Sequence, residues 1–272
     1  MTEMSALISD CPLDGEKIAA YARDGFLLGP RILSDSDCDE LLSDLERVIA
    51  ELKSTPARAV HFTNLTGSSE NPLWQIVNIY ELSPAFARLV RSPALVGSAR
   101  ALLGARELRI WHDQIQYKPA AGGGVNMWHQ DTPYWPIHSG PSAMTAWLAL
   151  DDADEGNGCM RMVRGSHAWG DNIRFLHTLK SFDGMPAHFG EQRLEVQSCP
   201  VPRGHVHFHH GYTWHGSPPN LSQRPRRAIA VHYMSEKTLY VAGDHVMRPF
   251  VESKPGEPIS GSRFPLVWSA RP

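Results

Sequence analysis

An excess of positive charge is missing from this chain. Its 26 Lys+Arg stand against 29 Asp+Glu, a formal net charge of −3, which excludes a broad nucleic-acid or anionic-membrane footprint. Cysteine is scarce as well. Cys11, Cys38, Cys159 and Cys199 have no C-x-x-C spacing; they read as scattered thiols of a cytoplasmic protein, not a zinc site or a disulfide framework. No run approaches the roughly 18 apolar residues of a membrane span. Residues 1–10 lack the basic start and apolar stretch of a signal peptide. Repeats and low-complexity tracts are absent. The glycine-rich stretch 120–126 follows no P-loop pattern, so it reads as a flexible connection.

What is there is ordinary for a globular chain, with 42% hydrophobic and 20% charged residues among 272, enough to bury a substantial core. Histidine is the oddity: 14 residues, crowded between His205 and His232.

The first hundred residues read as mainly helical. Residues 16–23 form a short helix that Gly25 ends, and residues 26–28 a short strand. Ser34 is a good N-cap, with Asp35, Asp37 and Asp39 near the positive end of the helix dipole. Leu41, Leu45, Val48 and Leu52 then recur at helical spacing and lay one face on a core. Ser83-Pro84 and Ser92-Pro93 each pair an N-cap with an N1 proline. The second opens a helix that Gly104 closes. Between them and the long helix, residues 54–80 give no clear pattern beyond a polar loop at 64–72.

From Glu107 the character changes to β. Leu108, Ile110, Ile115 and Tyr117 belong to strand-like runs, while Gln114, Gln116 and Lys118 share one face that is either solvent-facing or site-lining. Further strands are expected at 144–150, 159–163, 194–198, 206–209 and 228–234, and an irregular excursion at 175–190 can overhang a pocket. Many short strands at close spacing after a helical start predict a mainly β (α+β) fold of the jelly-roll kind. One domain is expected over 1–272, with a helical part at about 15–104, a jelly-roll core at about 105–235 and a C-terminal extension at 236–272.

The stretch Trp128-His129-Gln130-Asp131-Thr132-Pro133-Tyr134-Trp135 carries chemistry. In an extended strand residues i and i+2 share a side, so one strand can aim His129 and Asp131 at one metal. Two histidines and a carboxylate on one face of the metal is the arrangement of non-haem Fe(II) oxygenases. The triplet alone says little: at this composition chance expects about one or two His-x-Asp/Glu pairs. A partner comes from 204–220, where His205, His207 and His209 alternate on one strand face and can make a metal site or simply pack. His215 stands apart, beside the small Gly216. Arg226 follows at the head of a strand, its planar fork suited to a carboxylate such as that of a 2-oxo acid. A solvated face is the alternative for any lone arginine, and Arg224 and Arg227 are close enough to be confused with it.

Taken together, HQD at 129–131, WLALDDADEGNGCMRMVRGSH at 147–167, HGSPPN at 215–220 and Arg226-Arg227-Ala228-Ile229 resemble the phytanoyl-CoA dioxygenase family, in the family's order and over roughly residues 15–235. The resemblance implies a double-stranded β-helix (cupin-like) with N-terminal and flanking helices, using Fe(II), 2-oxoglutarate and O2. By residue it implies His129, Asp131 and His215 as iron ligands and catalytic centre, Arg226 on the distal carboxylate of 2-oxoglutarate with Ser217 assisting, and Gln114 and Trp147 in contact with the same co-substrate. Related halogenases replace the carboxylate by a small residue; Asp131 is present, which favours oxygenation. His205 stands where the family often has an acid.

The expected reaction is hydroxylation of a small molecule as 2-oxoglutarate goes to succinate and CO2. Desaturation, epimerisation or ring formation with the same cofactors is an alternative, as is a non-enzymatic metal-binding or sensing module. Tyr134, Trp135 and His138 follow the ligand strand and either line the substrate pocket or, for the two aromatics, belong to the core. A CoA thioester would favour a basic patch for its phosphates, and the sequence places none. No nucleic-acid or membrane partner is expected, and oligomeric state is not legible.

Overall fold

The computed structural model describes residues 13–138 and 142–270. The reading of residues 1–10 and of Cys11 therefore lies outside the described residues. Helix α1 (Gly15–Asp24) ends at Gly25, whose left-handed backbone (φ 82°) closes it. Strand β1 (Phe26–Arg31) follows, then α2 (Asp35–Ser54), opened by a reciprocal capping box between Ser34 and Asp37. Strands β2 (His61–Asn64) and β3 (Trp74–Val77) occupy the stretch that had no clear pattern. Helices α3 (Pro84–Leu89) and α4 (Pro93–Leu103) start at the two Ser-Pro pairs.

The remaining chain is mostly strand: β4 (Glu107–Lys118), β5 (Asn126–His129), β6 (Ile137–His138), β7 (Ala143–Ala149) and β8 (Met160–Val163). A short helix α5 (Ile173–Leu176) and strands β9 (His188–Phe189) and β10 (Gln192–Arg193) form the excursion. Then come β11 (Val196–Cys199), β12 (His205–His210), β13 (His215–Ser217), β14 (Arg226–Ser235), β15 (Leu239–Tyr240) and β16 (Leu266–Ser269).

Two antiparallel sheets face each other. The larger runs β1-β12-β7-β14-β4-β3-β2, with β16 added on β4; the smaller runs β11-β8-β13-β5. This is the expected jelly roll. The N-terminal part is less purely helical than its sequence suggested, because β1, β2 and β3 extend the large sheet at both ends. Short strands of four residues carry too little periodicity to stand out before their partners are known.

The period of two divides the large sheet cleanly. Val206, Phe208, Met144, Ala146, Leu148, Ile229, Val231, Tyr233 and Ile115 point outward and pack with Leu41, Leu45, Val48 and Leu52 of α2 and with α3 and α4. The alternate residues face the small sheet. Across adjacent strands His209, Thr145, His232 and His112 form one row, and His207, Trp147, Ala230 and Gln114 the next. Arg226 pairs with Lys118 further along. Gln114, Gln116 and Lys118 thus lie on the inward face, not the solvent face. The C-terminal segment is tied down by Phe264, which stacks on Trp111 at 5.1 Å with nearly parallel rings.

Buried histidines have a measurable cost in acid. Burial pushes the imidazoles of His207 and His210 down to about 3, and that of His112 well below its ordinary value. In the unfolded chain each takes a proton near pH 6.5. Below that pH the unfolded state binds protons that the folded state refuses, so stability falls as pH falls, by about 1.4 kcal/mol per pH unit for each such histidine. Thermal melts from about pH 7.5 to 4.5 should show a steady decline in Tm, and His207→Phe should make it shallower. A flat profile would show that these rings are protonated in the fold.

Candidate active site

His129 ends β5 and His215 begins β13, and the two are direct partners across that antiparallel pair. Their rings lie 4.1 Å apart. Gly216 allows the pairing: a Cβ there would meet the carbonyl oxygen of Asn126 at 2.9 Å. The carboxylate arrives differently from the one-strand reading. β5 stops at His129, and Asp131 has helical backbone angles (φ −72°, ψ −53°) ahead of a 3-10 turn. The turn is fixed by Gln130, whose buried amide donates to the carbonyls of Gly170 and Tyr212. Asp131 still reaches the same space. Its Oδ1 lies 3.7 Å from His129 Nε2 and 3.6 Å from His215 Nε2. One donor atom from each of the three residues falls within 4.8 Å of the others, the one such group of His, Cys, Asp or Glu among the described residues.

The surrounding hydrogen bonds set the donor atoms. His129 Nδ1 donates to the carbonyl of Met127 (2.7 Å) and His215 Nδ1 to that of Thr213 (2.9 Å). Each Nε2 is then left with its lone pair toward the shared space, the tautomer a divalent metal needs. Burial pushes both imidazoles down to about 4. Burial would raise Asp131, but His215, His209 and His232 outweigh it and hold the carboxyl well below the usual range. At neutral pH the group is therefore two neutral imidazoles and one carboxylate.

The other oxygen of Asp131 is occupied by Thr145, which the sequence did not single out, and by His209 of the histidine-rich strand. Thr145 donates to Oδ2 at 2.6 Å and itself accepts from His232 Nδ1 at 2.8 Å. His209 Nε2 donates to the same oxygen at 3.1 Å. The histidine-rich strand is therefore divided in role. His209 braces Asp131, whereas buried His207 stacks on Phe26 at 5.9 Å and His205 begins the strand, opposite Arg31. Strand alternation could have placed His209 on the inner face; nothing local could have paired it with Asp131, 78 positions away.

Arg226 is 1% exposed, and none of its three guanidinium nitrogens has a hydrogen-bond partner. Its guanidinium lies over the Trp147 ring at 5.3 Å. Burial lowers its pKa only to about 10, so it keeps its charge. Arg224 and Arg227 differ: the first pairs with Asp154 at the surface and the second with Asp151 at 2.8 Å. Beside Arg226, burial and the neighbouring cation push Lys118 down to about 5, and its Nζ donates to the carbonyls of Ser217 (3.1 Å) and Pro218 (2.5 Å). A buried guanidinium with no anion is a site that a carboxylate ligand would complete.

A cavity of about 910 Å³ opens over the His129–Asp131 pair. Gln114, Tyr134 and Trp135 line it; Trp135 also packs in the core, and His138 is exposed on β6 outside the lining. Trp147, Ser217 and Arg226 lie buried beneath, with Trp147 Nε1 donating to the lining residue Gln116. The excursion contributes Leu176, His177 and Leu179 to the wall, and the C-terminal extension contributes Asp244, His245 and Val246. No motif in residues 236–272 pointed to that last contribution.

The family model described as phytanoyl-CoA dioxygenase (PhyH) matches residues 21–228. The chain belongs to the phytanoyl-CoA dioxygenase family. An ectoine dioxygenase of Bordetella parapertussis is 32% identical over 243 residues, covering 84% of this chain and 77% of that protein. Among solved structures, the non-haem α-ketoglutarate-dependent carbocyclase SnoK from nogalamycin biosynthesis is 27% identical, covers 94% of this chain and 97% of its own, and has a TM-score of 0.79. EctD from S. alaskensis with bound Fe is 25% identical, with a TM-score of 0.67 over 85% of this chain and 80% of that one. This member of the phytanoyl-CoA dioxygenase family is an iron(II)- and 2-oxoglutarate-dependent dioxygenase. The donor set and the unpartnered guanidinium fit both cofactors. No helix among the described residues is long and apolar enough to cross a membrane.

The brace on Asp131 is testable. Thr145→Val keeps the shape and removes the 2.6 Å bond. Iron(II) affinity in anaerobic titration should fall by about 10–100-fold, as for other lost outer partners of a metal ligand, and Thr145→Ser should restore most of it. Unchanged affinity in the valine variant would mean that Asp131 needs no brace.

Proposed function

We propose that His129, Asp131 and His215 hold the iron, and that Arg226 binds the distal carboxylate of 2-oxoglutarate with Trp147 beneath it. The observation that carries this reading is the buried, partnerless guanidinium of Arg226, on the same inward sheet face as His232 and Thr145 that brace Asp131, together with a histidine–carboxylate–histidine group with both Nε2 atoms free. Lys118, an amine at neutral pH, holds the 217–218 backbone at the end of β13 and so supports the strand that presents His215 and Ser217. When bound, iron and 2-oxoglutarate supply the oxidising chemistry that hydroxylates the substrate. The chain's own part is to orient the cofactors, exclude water and present one substrate carbon. Tyr134 and Trp135 are placed to meet the substrate, because they line the cavity above the metal group, and Gln114, the expected 2-oxoglutarate contact, lines the same cavity. Free thiols at Cys38, Cys159 and Cys199 suit work in the reducing cytoplasm.

A small metabolite as substrate is supported by the ectoine dioxygenase similarity, and a natural-product intermediate by the likeness to SnoK. Product mass separates insertion of one oxygen from ring closure, in which two hydrogens are lost.

Arg226→Met tests the assignment. Loss of the partner of a buried carboxylate costs about 3–5 kcal/mol, so 2-oxoglutarate affinity should fall by about a hundred- to several-thousand-fold. The ligand-free variant should melt no lower than the parent, since an uncompensated buried charge has gone. Iron affinity should hold, whereas His129→Ala, Asp131→Ala and His215→Ala should each abolish it and His207→Ala should not. Retained 2-oxoglutarate affinity in Arg226→Met would move the anchor elsewhere.

A further inference from the structure

The cavity wall carries an unusual charge balance. Among the described residues no lysine or arginine lines it. Apart from Asp131 its one carboxylate is Asp244, which is exposed and has no ion-pair or hydrogen-bond partner among the described residues. The loaded site adds no charge of its own: iron(II) and Arg226 carry three positive charges, and Asp131 with the two carboxylates of 2-oxoglutarate carries three negative ones. The sign of the field that a substrate meets is therefore left to the wall.

The rest of the wall suits uncharged polar groups on flat rings. Tyr134, 47% exposed, offers an aromatic face, while Trp128 (2%) and Trp135 (8%) back the wall from the core. Gln75 donates to Gln114 Oε1 at 2.6 Å, which leaves the Gln114 NH2 and the Gln75 oxygen open to a ligand. His245 is held neutral by burial, its imidazole pushed down to about 4. At about 910 Å³ the space is at the large end of the roughly 300–1,000 Å³ of pockets that enclose drug-sized ligands.

Resting on the iron and 2-oxoglutarate reading above, we infer that the substrate is a ring-bearing molecule that is neutral or carries an amine cation, with Asp244 as the counter-charge, and that anionic substrates such as acyl-CoA thioesters are excluded. A thioester of that kind brings several phosphate charges to a wall with no cation to receive them and one carboxylate to repel them. Asp244 sits on the C-terminal extension, so this selectivity is separate from the metal-bearing strands.

The test uses three probes with one ring system and different charge: 2-naphthamide, 2-naphthoate and 2-naphthylmethylammonium. Each is titrated calorimetrically into the full chain loaded with manganese(II) and 2-oxoglutarate. The naphthoate should bind about tenfold more weakly than the amide, and the ammonium about threefold more tightly, the modest gain of an exposed ion pair. Asp244→Asn should remove the ammonium advantage and leave amide binding unchanged. Naphthoate binding as well as the amide, no binding by any probe, or an ammonium-to-amide ratio untouched by Asp244→Asn would each overturn the inference. Failure of the cofactor reading looks different: 2-oxoglutarate would then not bind the parent protein, or would bind Arg226→Met equally well, before any probe is added.

Discussion

The pairing of β13 with β5 is the constraint on which the site depends. Antiparallel register sets His215 opposite His129, so the two imidazoles come from positions 86 apart with no freedom to drift. Backbone hydrogen bonds do the positioning; the side chains only choose rotamers, which their Nδ1 bonds to Met127 and Thr213 then fix. Asp131 lies outside that ladder. It needs separate support, and Thr145 and His209 from the opposite sheet supply it. The candidate metal group thus hangs on one sheet and is braced by the other, and it requires the sandwich to be closed.

That requirement explains the polarity of the large sheet. A sandwich core is normally apolar on both inner faces. Here the outward face is the apolar one, packed under three helices, while the inward face carries imidazoles, amides, the buried guanidinium of Arg226 and the buried amine of Lys118. The helices let the inner face be spent on chemistry, since the outward face and its helical cover supply most of the hydrophobic stabilisation. Between the sheets Phe26, Trp147, Met160, Met162 and Val201 form an apolar cluster that runs up to Met162, the cross-strand partner of His215.

Much of this was legible in advance, and the divisions are physical. Ser34, the two Ser-Pro pairs, Gly25 and Gly104 encode helix ends locally, and the structure uses each of them so. The strand pattern from Glu107 onward announced a jelly roll because alternation is local too. β2 and β3 were missed because four residues of half-buried strand look like loop until β4 is beside them. The backbone turn at Asp131 was missed because Gln130 is anchored by carbonyls at Gly170 and Tyr212, far along the chain. Arg226 could not be told from Arg224 and Arg227 by spacing. Their surroundings separate them: two have carboxylate partners, and one has none.

The stack of Phe264 on Trp111 has a consequence for how such a protein can change. Through it, and through Met247 and Ile259 in the same cluster, the tail is held against β4, so Asp244 to Val246 stand at the cavity rim on a segment that carries no residue of the metal group. The molecule is in this sense built like a tool with a fixed handle and an interchangeable jaw. Replacing the jaw, with its anchoring aromatic kept, alters what is gripped and leaves the working edge as it was.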